Sequence, residues 1–110
     1  MRLVIKNLQD KTICISEKNT ILQSLGENAI DWMQACGAKG RCTTCKMIVL
    51  QGSEYLTDYT EAEKKFIVQK RLLAQERLAC QAKPKNLQNE YEIIIQVPKI
   101  YQLPHILYND

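Results

Sequence analysis

Four of the chain's five cysteines are spaced so that their sulfur atoms could meet at one inorganic centre. Cys36, Cys42 and Cys45 are separated by five and two residues, and Cys80 follows after another 34. A short loop can supply three thiolates, while a distant turn supplies the fourth. Thiolates are soft ligands that favour zinc, copper and iron in proteins. The spacing therefore predicts a single four-cysteine metal centre.

The segment 35–45, which carries three of these cysteines, has the composition of a tight loop. It contains Gly37 and Gly40, two of the four glycines of the chain, and it shows neither helical nor strand periodicity. Small residues let the backbone curl so that its N–H groups point inward. Those groups, with the hydroxyls of Thr43 and Thr44, could donate hydrogen bonds to sulfur and so stabilise a negatively charged centre.

Two other uses of the same cysteines remain open at this point. A zinc-stabilised interaction module normally has two paired CxxC knuckles, whereas this chain has one CxxC and two single cysteines. A thiol-disulfide oxidoreductase could use Cys42 and Cys45, but its CxxC motif should follow a strand and open a helix. Cys45 instead leads into the β-rich segment 46–50.

The fifth cysteine, Cys14, has no partner at a comparable spacing, and we expect a half-buried thiol on a strand between Ile13 and Ile15. An odd cysteine count excludes a full set of intramolecular disulfides. The N-terminal segment has charged residues where a secretory signal would be apolar. Both features favour a reducing, cytoplasmic location. No apolar run approaches the roughly 18 residues of a membrane span.

The net charge of +3 comes mainly from residues 60–85, which hold seven basic and three acidic side chains. Glu61, Glu63 and Glu76 are interspersed among the basic residues there, in the manner of a solvated helix face. A nucleic-acid-binding surface would be more strongly basic and would include aromatic residues. We therefore expect no nucleic-acid partner.

Periodicity predicts the elements that must position the cysteines. Alternating apolar residues predict strands at 2–8, 12–16 and 91–97, and β-rich composition predicts another at 46–50. A helix is expected to begin at Asn19 or Thr20, and the capping box of Thr60 and Glu63 predicts a helix over 60–73. The whole chain, 1–110, is expected to form one domain with 98–110 as an extended C-terminal tail.

At the cysteine motifs the chain resembles the 2Fe-2S ferredoxins. The C-x5-C-x2-C spacing is similar to that of the adrenodoxin-like or bacterial branch, one residue longer than the plant-type spacing. The segment Arg77-Leu78-Ala79-Cys80-Gln81 also looks like the R-L-x-C-Q segment that carries the last ligand in that branch. The resemblance covers roughly residues 1–97. It implies an α+β protein of the β-grasp type, with a mixed sheet packed on a helix.

The resemblance also implies a function. Cys36, Cys42, Cys45 and Cys80 would bind a 2Fe-2S cluster, with Cys45 and Cys80 on the inner iron. The protein would be a monomeric one-electron carrier rather than an enzyme. Its partners would be a ferredoxin reductase and an acceptor, such as an oxygenase or a cluster-assembly system. One feature departs from the family pattern, because that branch docks through an acidic helix, whereas residues 60–71 here hold two glutamates and four basic residues.

Overall fold

The computed structural model describes residues 1–33, 44–87 and 89–110 of the chain. It contains five strands and two α-helices within those residues. In chain order they are β1 (Arg2–Ile5), β2 (Lys11–Cys14), α1 (Ile21–Glu27), β3 (Lys46–Gln51), α2 (Glu61–Val68), β4 (Glu76–Leu78) and β5 (Glu92–Gln96). Two single-turn 3₁₀ segments lie at Ser53–Tyr55 and Lys99–Tyr101.

The five strands form one mixed sheet in the order β2-β1-β5-β3-β4. β1 and β5, from opposite ends of the chain, pair in parallel at its centre, and the other neighbouring pairs are antiparallel. Parallel neighbours need a long crossover connection, and the crossover here includes both helices, β3 and β4. The α+β class and the mixed sheet expected from the sequence are confirmed.

The sheet buries the apolar residues that the alternating pattern selected. Leu3 and Ile5 of β1 and Ile93 and Ile95 of β5 are fully buried. Ile21, Leu22 and Leu25 on one side of α1 belong to the same core cluster. Because side chains alternate between the two faces of a strand, the period of two identified the buried face of both central strands.

Both helices begin with a capping box, at Thr20 with Gln23 and at Thr60 with Glu63. α2 ends at Val68, so the predicted helix over 60–73 is too long. Lys70 adopts a left-handed φ of 59°. The N–H of Arg71 donates to the carbonyl of Phe66, and that of Lys70 donates to Ile67. These bonds form a Schellman motif, which terminates the helix.

After α2, the structure differs from the predicted elements in two ways. β4 was not predicted; it has three residues, and the structure places it at one edge of the sheet beside β3. The tail 98–110 does cross the body of the domain, but it includes a 3₁₀ turn, and the N–H of Asn109 donates to the carbonyl of Asn7.

Neither helix found in the described ranges has the length and apolar character needed to cross a membrane.

Candidate metal centre

Two of the four predicted ligands, Cys45 and Cys80, lie in the part of the chain that the structure describes. Cys36 and Cys42 fall within 34–43, outside the described residues. Cys45 and Cys80 are 1% and 5% exposed. Within 1–33, 44–87 and 89–110, no three His, Cys, Asp or Glu side chains are grouped as a metal site. Half of the predicted ligand set therefore lies among the described residues, and both of these cysteines are buried.

The strand pairing brings Cys45 and Cys80 to the same end of the sheet. Cys45 directly precedes β3, Cys80 follows β4 by one residue, and Lys46 is paired with Leu78 across the two strands. The N–H of Ala79 donates a hydrogen bond of 3.2 Å to the carbonyl of Cys45. An antiparallel ladder thus holds together two cysteines that are separated by 34 residues in sequence.

Trp32 makes a second hydrogen bond to the same carbonyl. Its indole Nε1 donates to the Cys45 oxygen at 3.0 Å, and the side chain is 7% exposed. A buried indole N–H normally needs a partner, and here that partner is the backbone of a predicted ligand. Trp32 therefore joins the chain just before residues 34–43 to Cys45, which lies just after them.

The sulfur of Cys80 accepts a side-chain hydrogen bond. The amide Nε2 of Gln81 lies 3.6 Å from Cys80 Sγ. A neutral N–H donor stabilises negative charge on sulfur without adding a charge of its own. The sequence had placed Gln81 only within the R-L-x-C-Q motif, and nothing in its spacing indicated that its side chain turns back toward the sulfur.

A buried ion pair fixes the segment that carries Cys80. Arg77 Nε and one of its terminal nitrogens donate to the two carboxylate oxygens of Glu63, at 2.8 and 2.9 Å. The same carboxylate accepts hydrogen bonds from the N–H of Leu78 at 3.1 Å and from that of Thr60 at 3.1 Å. Glu63 is fully buried and Arg77 is 6% exposed. All the acceptor sites of the carboxylate are used, which is how a buried charge is tolerated.

The sequence had identified Glu63 only as part of the capping box. Arg77 Nη1 also donates to the carbonyl of Thr57 at 2.8 Å, and the guanidinium lies 4.5 Å from the centre of the Tyr59 ring. The guanidinium is therefore held on three sides. The interaction joins α2 to β4 between residues 14 positions apart. A local sequence pattern cannot indicate a contact at that separation.

Cys14 lies well away from Cys45 and Cys80. It is on β2, the edge strand opposite β4, and it is paired with Arg2 at the other end of the sheet. Three strand spacings, about 14 Å, separate β2 from β3. Its thiol is exposed, so the expectation of a half-buried side chain is wrong. Ile13 and Ile15 point into the core, so the residue between them faces solvent.

Comparison with known sequences gives the family. Residues 4–85 match the family described as the 2Fe-2S iron-sulfur cluster binding domain. The 2Fe-2S ferredoxin-5 of Aquifex aeolicus is 37% identical over 83 residues, which cover 74% of this chain and 83% of that protein.

Solved structures agree in fold. The ISC-like 2Fe-2S ferredoxin of Pseudomonas putida JCM 20004 superposes with a TM-score of 0.73 at 27% identity, covering 94% of this chain and 96% of that one. A ferredoxin of Rhodopseudomonas palustris HaA2, 17% identical, shares the fold with a TM-score of 0.64 and coverage of 90% and 97%. The buried, hydrogen-bonded Cys45 and Cys80 suit a cofactor that thiolates bind. The chain belongs to the 2Fe-2S ferredoxin family, whose members are electron carriers rather than enzymes.

Proposed function

We propose that Cys36, Cys42, Cys45 and Cys80 are the ligands of the 2Fe-2S cluster. The observation that carries this proposal is the arrangement of Cys45 and Cys80, both buried and joined through the hydrogen bond from Ala79 to the Cys45 carbonyl. The C-x5-C-x2-C spacing supports Cys36 and Cys42 as the other two. When bound, a 2Fe-2S cluster accepts or releases one electron, and no substrate bond is made or broken.

The residues around Cys45 and Cys80 position the two sulfur atoms and stabilise negative charge on them. Trp32 holds the backbone at Cys45, and the Glu63–Arg77 pair holds the chain just before Cys80, which should keep the sulfur positions similar in the two redox states. Burial excludes water, and the Gln81 amide stabilises negative charge at Cys80 Sγ. Four anionic thiolates favour a negative reduction potential.

We further propose that the protein works as a monomer in the cytoplasm and that residues 1–110 act as one domain. Its partners would be a ferredoxin reductase as donor and an oxygenase or a cluster-assembly system as acceptor. The relative from Pseudomonas putida is described as an ISC-like ferredoxin, which favours cluster assembly. The odd cysteine count supports a reducing compartment, because it leaves Cys14 without a disulfide partner.

Metal analysis of the anaerobically purified protein tests the ligand assignment. We expect about two iron atoms and two acid-labile sulfides per chain, with the visible absorption of the cluster. Cys80→Ser should lose most of that absorption. Cys14→Ser is the matched control, because Cys14 lies on the opposite edge of the sheet, and it should retain full cluster content.

Two outcomes would contradict the assignment. One tightly bound zinc per chain would identify the cysteines as a zinc site. Metal-independent dithiol activity that is lost in Cys42→Ser but kept in Cys80→Ser would identify a thiol-disulfide oxidoreductase.

A further inference from the structure

The exposed side of α2 combines positively charged side chains with exposed apolar side chains. Lys65, Lys70 and Arg71 are exposed, and none of them forms an ion pair with another described residue. Val68 is 82% exposed in their midst, and Leu73 is 61% exposed just beyond them. We call Lys65, Val68, Lys70 and Arg71 the basic face.

Of the two acidic residues of α2, only Glu61 lies on the same side of the helix as Lys65 and Val68. Glu63 is buried and paired with Arg77, and Glu61 is paired with Lys64 at 3.4 Å. Residues 60–85 carry a net charge of +4, compared with +3 for the whole chain. The rest of the chain is therefore slightly acidic, and four of the seven basic residues of 60–85 lie in α2 or directly after it.

Helical periodicity makes the basic face a single surface. Glu61, Lys65 and Val68 are at positions i, i+4 and i+7, which share one side of a helix, and they line one shallow depression with Lys64 and Gln69. Glu63 and Phe66, on the other side, are buried. The Schellman motif places Lys70 and Arg71 directly after the helix, where both are exposed, and the Arg71 guanidinium lies 4.9 Å from the centre of the Phe66 ring.

Only the thickness of α2 separates the basic face from the segment that carries Cys80. On the buried side of α2, Glu63 accepts a hydrogen bond from the N–H of Leu78, two residues before Cys80. A helix with its side chains is about 10–12 Å across. A protein bound to the outer side of α2 would thus be about one helix diameter from the segment that carries Cys80.

We propose that the basic face is the docking surface for a redox partner with an acidic surface. This inference rests on the proposed electron-carrier function and adds the chemistry of its partner. Charge complementarity selects the occupant, because an acidic surface is attracted to Lys65, Lys70 and Arg71, whereas a second copy of this chain would present the same positive charge. Val68 supplies the apolar contact at the centre of the interface.

Two haem proteins of opposite surface charge serve as defined probes, cytochrome b5 with an acidic surface and cytochrome c with a basic one. Stopped-flow absorbance gives the second-order rate at which the photochemically reduced protein reduces each probe. We expect the rate with cytochrome b5 to fall as salt is added and the rate with cytochrome c to rise.

The double variant Lys65→Glu/Lys70→Glu should slow reduction of cytochrome b5 at low salt by about tenfold or more and should accelerate reduction of cytochrome c. The matched control, Lys6→Glu/Lys18→Glu, makes the same change in net charge at exposed positions outside α2. It should alter either rate by less than about twofold. Near 1 M salt the double variant and the unchanged protein should converge, because the Debye length is then about 3 Å.

Equal effects of the two charge-reversed proteins would overturn the proposal, since the effect would then come from total charge. A dimer in sedimentation that Val68→Ser dissociates would also overturn it, because a second copy would then occupy the face. Cluster content, measured first for every variant, separates these failures from failure of the proposed function. A protein without a cluster would reduce neither probe, whatever the charge of its α2.

Discussion

The amide of Gln81 illustrates how one side chain can tune the proposed centre. Its Nε2 donates to Cys80 Sγ at 3.6 Å. Reduction adds one negative charge, and part of that charge resides on sulfur, so a donor to sulfur is a stronger stabiliser of the reduced state than of the oxidised state. Gln81 should therefore hold the reduction potential higher than an apolar residue would.

Gln81→Leu should lower the midpoint potential measured by protein-film voltammetry. If the lost hydrogen bond disfavours reduction by tenfold, the fall is about 59 mV for a one-electron couple. Gln81→Glu should lower the potential further, because it replaces the donor by a negative charge. The control is Gln51→Leu, at an exposed position on β3. Equal potentials in Gln81→Leu and Gln51→Leu would show that the amide has no influence on the centre.

The Glu63–Arg77 pair acts on two secondary-structure elements at once. It anchors the first turn of α2 and, through the N–H of Leu78, the strand that leads to Cys80. Removing one partner of such a pair leaves an uncompensated buried charge, which costs about 3–5 kcal/mol. Replacing both partners by apolar residues costs less, because no charge then remains buried.

Glu63→Gln should therefore lower the thermal midpoint of the cluster-loaded protein by more than about 10 °C, since about 4 °C is lost per kcal/mol in a domain of this size. It should also accelerate iron loss to a chelator, because the Cys80 segment is released. Adding Arg77→Met to Glu63→Leu should recover part of the loss caused by Glu63→Leu alone. Additive losses in that double variant would show that the two side chains act independently.

Comparison of these elements with the sequence shows what local patterns can predict. The alternation in 2–8 and 91–97 identified both central strands, because the period of two reports burial directly. The end of α2 was missed because the usual signal is a glycine after the last turn, and Lys70 takes the left-handed conformation there instead. β4 was missed because its central residue, Arg77, is charged, and its burial depends on Glu63, Thr57 and Tyr59, which are distant in sequence.

The same distinction applies to the candidate site. The cysteine spacing predicted all four candidate ligands, and the structure brings Cys45 and Cys80 together. The contacts of Trp32, Gln81 and Glu63 at this site had no local signature, because each residue reaches its partner through the folded sheet or through a side-chain rotamer. Spacing thus predicted the candidate ligands, whereas the contacts that support Cys45 and Cys80 required the structure.

Asn7, which follows β1, binds both the residue after β5 and the C-terminal tail. The buried Asn7 side chain donates to the Val97 carbonyl at 2.9 Å and accepts from the Val97 N–H at 2.8 Å. It also donates to Asp110 Oδ1 at 2.8 Å, and His105 in the tail lies 3.0 Å from Asp31, next to Trp32. The tail thus connects the first strand to the segment that leads to the proposed ligands.

The hydrogen bond from Asn7, followed by the one from Gln102, lowers the pKa of Asp110 below its usual value. A carboxyl group whose pKa is lowered by folding stabilises the folded state above its ordinary pKa, and this contribution is lost as the pH falls through the lowered pKa. The attachment of the tail by Asp110 is therefore complete at neutral pH.

Asn7→Ala should detach the tail and weaken the central sheet together. It removes three hydrogen bonds, each worth about 0.5–1.5 kcal/mol, and leaves the backbone groups of Val97 without this partner. We expect a thermal midpoint lower by roughly 10 °C and faster proteolysis within 98–110 at neutral pH. Asn86→Ala, at an exposed position, is the control and should change neither. A lower midpoint with unchanged proteolysis would mean that Asn7 stabilises β5 alone, so that the tail is held by its other contacts.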